Sequence, residues 1–200
     1  MIKQNYRLTL QNRLKLMPRA SDEGIRRIIS IGDADPQLHV VRDVVRIIAN
    51  LGLHNSELAA LKFTDIDFEG EWIFVGRDRK ASCAQHVLPL RTKVKEALIS
   101  LHARCPESFF VLGNDPLRRI SGVVQRLKKI CPDLPQGRLT MYPVRMNFVH
   151  RLYSSGIPLS AVKYCLGLCE QSQLLSHLPL SIEVKLEILR RDLENFLLET

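Results

Sequence analysis

Between Gln37 and Leu51 the chain carries apolar side chains on two adjoining rows of a helix. Leu38, Val41, Val45 and Ile48 form one row, and Val40, Val44, Ile47 and Leu51 form the next. A helix apolar over so wide a face must sit in the middle of a core, with other elements packed around it. Gly52 follows directly and supplies the left-handed stop that such a helix needs. Whatever this chain folds into is therefore built around residues 37–51.

The flanking segments supply the layers. Ser21 followed by Asp22 and Glu23 is a capping residue with acids in the first turn, so a helix begins there. Gly24 weakens it by about 1 kcal/mol relative to alanine. A further helix is expected from Asn55, a good cap, to Phe63. Asp65-Ile66-Asp67 leads into a β-hairpin with Phe68, Trp72, Phe74 and Val75 around a turn at Glu69-Gly70, and a third strand is expected over His86–Leu90. Thr92–Arg104 is amphipathic through Val94, Ala97, Leu98 and Leu101. Phe109–Leu112 is a short apolar stretch, and Pro116 precedes a helix through Ile120, Val123, Val124, Leu127 and Ile130. The polar side of that helix bears Arg118, Arg119, Arg126, Lys128 and Lys129, a solvated face or a phosphate-contacting one.

From Leu139 to His177 the grammar is helix, glycine, helix, glycine. Pro143 is tolerated in a first turn, and Val144, Phe148 and Leu152 follow at helical spacing before Gly156. Pro158 opens a second helix with Val162, Cys165 and Leu166 inward, closed by Gly167. Beyond Pro179, Ser181 caps a last helix with a stripe of Ile182, Leu186, Leu189, Leu193 and Phe196. The fold class is thus mainly α with a small antiparallel β-sheet (α+β). A basic arm over 1–20, one compact domain over 21–180 and a C-terminal amphipathic helix over 181–200 account for the chain.

Charge narrows the partners. The 200 residues carry a formal net charge of +8 and a pI near 9.5. Nucleic acid is the first candidate, since Lys and Arg neutralising phosphate supply most non-specific affinity, although many basic proteins have no such partner. Residues 1–20 contain Lys3, Arg7, Arg13, Lys15 and Arg19 and no acid, as expected of an arm or short helix on a phosphate backbone. No apolar run approaches the roughly 18 residues that span a bilayer, and no signal-peptide core is seen, so a cytoplasmic protein is expected, without a membrane partner. Five cysteines without regular spacing read as buried thiols. Cys165, Cys169 and His177 lack the further pair that a metal site needs, so no metal and no cofactor is expected.

Two boxes and the order between them resemble the tyrosine recombinase (phage-integrase) catalytic domain. That family's first box runs roughly T-G-L-R-x-S-E-L-x-x-L-x-W-x-D-I-D; here Leu51-Gly52-Leu53-His54-Asn55-Ser56-Glu57-Leu58 leads on to Leu61 and Asp65-Ile66-Asp67. The later pattern, H-x-x-R-H-x-F-A-x-x-L-x-x-x-G and then L-G-H, is met by Arg145, Phe148, Leu152, Gly156 and Leu166-Gly167. The family's lysine, ahead of an R-x-V-P-L strand, is matched by Lys80, with Arg79 the other candidate. The resemblance covers about Ser21 to His177.

The catalytic letters differ. His54 stands for the first arginine, Tyr142 for the first histidine, Leu168 for the second and His177 for the nucleophilic tyrosine. In the family the tyrosine attacks a DNA phosphate, arginines and a histidine stabilise the developing charge, and the lysine protonates the leaving hydroxyl. The resemblance therefore implies a recombinase scaffold that binds double-stranded DNA with its chemistry stripped out, acting at recombination or regulatory sites of a nucleoid-associated or mobile-element system. Lys80, Arg145, Arg118, Arg119, Arg126, Lys128, Lys129, Arg13, Lys15 and Arg19 are the candidate DNA contacts. The alternatives are a recombinase with His177 as nucleophile, forming a phosphoramidate, and a protein-interaction module that no longer binds DNA. The chain resembles the short members that lack a separate core-binding domain, and half a clamp implies weaker, more salt-sensitive binding. The C-terminal stripe is a candidate contact with a second copy or an active recombinase.

Overall fold

The computed structural model describes residues 19–76, 85–132, 134 and 141–167. The first described helix, α1, spans Asp22–Ala34 and is capped as expected, the Ser21 hydroxyl accepting from Gly24 N–H at 3.0 Å. It runs past Ile31. A 3-10 turn over Pro36–Leu38 follows, held by the Asp35 carboxylate on Gln37 N–H at 2.9 Å. The central helix α2 is His39–Leu51, so the first two residues of the apolar segment belong to this tighter turn.

Helix α2 packs on α1 and on three later helices: α4 (Thr92–Arg104), α5 (Pro116–Ile130) and α6 (Tyr142–Ser154). Val41, Val44, Val45, Ile47, Ile48 and Leu51 are all buried, which confirms the central role read from the two apolar rows. Its polar residues go inside too. Arg42 bridges Asp43 at 2.8 Å and Asp33 of α1 at 3.0 Å, and Arg46 reaches Asp33 at 3.1 Å. Gly52 ends α2 at φ 64°, and a Cβ there would lie 2.3 Å from the Phe148 ring. Glycine is required twice over, for the backbone and for the close approach of α6.

Helix α3 is shorter than expected, Asn55–Ala60 instead of extending to Phe63. A long-range pairing ends it. Leu61 turns extended, its carbonyl accepts from Val111 N–H at 3.0 Å, and Phe63 N–H donates to Phe109 O at 3.0 Å, around a bridge between Lys62 and Phe110. The chain then makes a 3-10 turn, Phe63–Asp65, and enters the sheet.

Among the described residues the sheet has three antiparallel strands in the order β1 (Ile66–Asp67), β2 (Trp72–Val75) and β3 (His86–Pro89). Ile66 faces Ile73, and Ile73 faces Leu88. The Asp67 carboxylate folds the first turn by accepting from Glu69 and Gly70 N–H, at 3.0 and 2.7 Å. The Leu90 N–H to Glu71 O bond sets the phase of β3: even-numbered amides turn to β2, and positions 87 and 89 turn to the open edge. Pro89 has no amide to expose there. After α6 and Gly156 (φ 81°), the last described helix is α7, Leu159–Cys165, closed by Gly167 at φ 64°. Together these elements are the mainly helical fold with a small antiparallel sheet expected from the sequence.

Candidate functional site

Arg145 lies in the opening turns of α6, where Pro143 and the Met141 carbonyl start the helix. Its guanidinium joins three parts of the fold. Nη1 donates to Glu57 Oε2 of α3 at 3.2 Å, and Nη2 donates to the carbonyl of Leu166, just past α7, at 3.2 Å. That carbonyl is one of the last of a helix, left without an intrahelical partner and carrying the negative end of the helix dipole. The Arg145 side chain is 12% exposed and that of Glu57 4%. Two of the five guanidinium N–H donors are thus committed inside the protein.

His54 acts on the backbone of the next helix. It is the N-cap of α3: its Nδ1 accepts from Ser56 N–H at 3.3 Å and lies 2.6 Å from the Ser56 hydroxyl. Its own N–H donates to Glu57 Oε2 at 2.6 Å, completing a reciprocal capping box. The cap expected at Asn55 is displaced by one residue, because only from position 54 does a glutamate fall three residues on. One carboxylate oxygen, Glu57 Oε2, therefore holds both the start of α3 and the Arg145 guanidinium.

Among the described tyrosines, Tyr142 is 39% exposed at the first position of α6. Tyr153 has its hydroxyl buried without a hydrogen-bond partner. Tyr164, on α7, is buried, and its hydroxyl oxygen accepts from Val87 N–H of β3 at 3.2 Å. Burial pushes its phenol pKa up, against a smaller opposing effect of that amide, so the ring stays neutral. Beside it, burial pushes the Cys165 thiol up to about 12.

The basic residues of α5 divide. Arg118, Arg126, Lys128 and Lys129 are exposed. Arg126 donates to Gln37 O at 3.0 Å, and Arg119 turns inward, its Nη2 on Cys105 Sγ at 3.3 Å and its Nη1 buried. Arg19 is exposed at the entrance to α1, where a cavity of about 310 Å³ is lined by Ser21, Glu23, Arg27, Cys131 and Leu134 as well. Arg145, Glu57 and His54 are not among its walls. Lys80, Arg13, Lys15, Leu168, His177 and the 181–200 stripe lie outside the described residues. Among the described residues no group of three His, Cys, Asp or Glu could hold a metal ion, and no helix is long and apolar enough to cross a membrane.

Sequence reasoning missed Glu57 as the partner of Arg145, the capping role of His54 and the Tyr164–Val87 bond. The second had a local signal in the His54-x-x-Glu57 spacing. The other two join residues 88 and 77 positions apart, and no local pattern carries them.

The model of the phage integrase family matches residues 19–173, more than half of the chain. Among solved structures, XerA recombinase superposes with TM-score 0.60 at 20% identity, over 88% of this chain and 64% of that one. An integrase of the Tn1549 transposon in complex with transposon right end DNA gives 0.63 at 18%, over 90% and 66%. The lambda integrase catalytic core gives 0.56 at 16%, over 76% and 91%. XerH recombinase bound to its difH substrate is 16% identical with TM-score 0.61, over 79% of this chain and 49% of its own. The chain thus spans about half to two thirds of the longer recombinases, and at these identities the likeness is one of fold. No curated protein sequence matches the chain significantly.

Proposed function

The chain belongs to the phage integrase (tyrosine recombinase) family, and from that premise we propose that it binds double-stranded DNA through its phosphates without cutting it. The observation that carries this reading is the arrangement around Glu57. One guanidinium, Arg145, is held by Glu57 and stands where the family resemblance implies a phosphate-binding arginine, while His54, where the resemblance implies the first arginine, is a helix cap. A fixed arginine can hold a backbone phosphate as a charged hydrogen-bond donor. Cleavage demands more. The developing charge on the non-bridging oxygens needs several preorganised donors, each worth about 10²–10³ in rate. It also needs an accessible nucleophile in the right place: Tyr164 and Tyr153 Oη are buried, and exposed Tyr142 stands on the helix of Arg145, not beyond Gly167 where the resemblance implies the nucleophile.

Exposed Arg118, Lys128, Lys129 and Arg19 extend the cationic surface in this reading, with Lys80, Arg13 and Lys15 as further contacts. Arg119 contributes less, because its guanidinium turns inward onto Cys105, whereas exposed Arg126, with one donor on Gln37 O, remains on that surface. The working place is a recombination or regulatory site of a mobile element or nucleoid, in the cytoplasm. The stripe from Ile182 to Phe196 would meet a second copy or an active recombinase there.

Incubation with supercoiled and nicked duplex DNA, read on denaturing gels beside a salt series, tests this. Binding that weakens steeply with salt, with no relaxation and no covalent adduct, is expected. A covalent adduct would overturn the non-cleaving reading, and mapping it to His177 would establish the alternative nucleophile. Binding to a protein partner that survives high salt, with no DNA binding, would overturn the DNA reading altogether.

A further inference from the structure

Helix α7 has only seven residues, Leu159–Cys165, too few to be stable alone. Its position is set by tertiary contacts, and that position matters because the Leu166 carbonyl at its end is one of the two acceptors that orient Arg145. Val162, Cys165 and Leu166 anchor it by burial, which is non-directional. The directional tie is Tyr164. Its ring meets His86 edge-on, with centroids 6.1 Å apart at 76°, and its hydroxyl oxygen accepts from Val87 N–H across a buried 3.2 Å contact. That amide points to the open edge of β3, where water or another strand would otherwise satisfy it.

We propose that Tyr164 is the positioning residue for Arg145, fixing the end of α7 against the edge of β3 so that the Leu166 carbonyl holds the guanidinium in its phosphate-binding pose. The proposal rests on the phosphate-binding role given to Arg145 above. The route runs from Val87 N–H to Tyr164 Oη, two residues along the chain to the Leu166 carbonyl, and from there to Arg145 and Glu57. Tyr164 contributes no donor to the ligand. It sets where one donor stands.

The experiment uses the full chain and a Tyr164→Phe variant, which keeps the ring and loses only the acceptor. The first readout is independent of DNA: the Arg145 Nε–Hε signal in ¹⁵N-labelled protein, identified by its loss in Arg145→Lys. Tyr164→Phe should shift or broaden it and leave the Arg42 signal, held by Asp33 and Asp43, unchanged. The second is the affinity for a short fluorescein-labelled duplex across a salt series. Tyr164→Phe should weaken binding about threefold to tenfold. It should have no further effect in the Arg145→Lys background, since effects transmitted through one group do not add. An unchanged Arg145 signal, an equal disturbance of Arg42, or the same loss of affinity in both backgrounds would overturn the proposal. Wild-type protein with no salt-sensitive binding would sink the DNA reading instead, and the Arg145 signal would still decide whether Tyr164 governs the guanidinium.

Discussion

Glu57 and Arg145 form an ion pair at 3.2 Å across 88 residues of chain, with both side chains largely out of water. The same carboxylate oxygen caps α3 through His54 N–H at 2.6 Å. In the phosphate-binding role proposed for Arg145, a phosphate approaching it would compete with a fixed internal anion. One contact would then both join α3 to α6 and temper the affinity of the site.

Replacing Glu57 separates the two roles. Glu57→Gln keeps an oxygen for the His54 amide and loses the charge, and should cost about 1.5–3 kcal/mol, the worth of a hydrogen bond to a charged group. Glu57→Ala leaves a mostly buried guanidinium without its counter-charge, and about 3–5 kcal/mol is expected. Thermal denaturation reads both, at about 2–4 °C per kcal/mol for a chain of this size. An alanine variant within about 0.5 kcal/mol of wild type would mean that the pair does not hold these elements together.

Much of the fold was legible because its signals are local. Thr92–Arg104 emerges with the bounds expected, and Pro116–Ile130 differs only in taking Pro116 into its first turn, since apolar periodicity and a proline or basic end mark each one. Gly52, Gly156 and Gly167 all adopt the left-handed conformation that the helix–glycine pattern implied. What escaped is non-local or atypical. The end of α3 is decided by Phe109 and Val111, about fifty residues on, so propensity at Lys62 and Phe63 could not reveal it. Histidine is not among the favoured caps, so Asn55 drew the assignment that belongs to His54. The frame of the site could be read from spacing; the partners of Arg145 could not, because a guanidinium's acceptors are chosen by tertiary packing.

The cap itself can be isolated. His54→Ala should cost about 1 kcal/mol, and His54→Ser, which can accept from the same backbone amides, should stay close to wild type. His54→Arg restores the family's letter and should not restore its chemistry alone. It loses the acceptor, at about 1 kcal/mol, and adds a cation, so the slope of log K against log salt should steepen by about one unit. Chemical denaturation and the salt series measure the two effects on the same protein. If His54→Ser is as destabilised as His54→Ala, the cap is not what the ring provides.

Two of the left-handed glycines, Gly52 and Gly156, offer a matched comparison. At Gly156 a Cβ would meet nothing within 4 Å, so Gly156→Ala carries only the backbone penalty of φ 81°, about 1 kcal/mol. At Gly52 the same strain is joined by a Cβ 2.3 Å from Phe148, deep in the contact between α2 and α6. About 2–4 kcal/mol is expected for Gly52→Ala. Restoring space with Gly52→Ala/Phe148→Leu should recover part of the difference, because the clash term is specific to that ring. Equal costs at Gly52 and Gly156 would show that α6 can shift away freely.

Cys165 makes the interior testable by pH. Its thiol is pushed from the ordinary 9.0 up to about 12 by burial, so the folded state favours the neutral form more strongly than the unfolded chain does. Below pH 9 both states are protonated and the full contribution is present; as pH rises from 9 toward 12 the unfolded chain ionises first and that contribution is lost. Wild-type stability should therefore fall faster than that of Cys165→Ala over this window, and the two curves should run parallel below it. Iodoacetamide at pH 8 should leave Cys165 and buried Cys131 unmodified in the folded protein while reaching the half-exposed Cys105, as peptide mapping by mass spectrometry would show. Rapid native-state labelling of Cys165 would mean that α7 opens readily from β3, and the hold that Leu166 keeps on Arg145 would open with it.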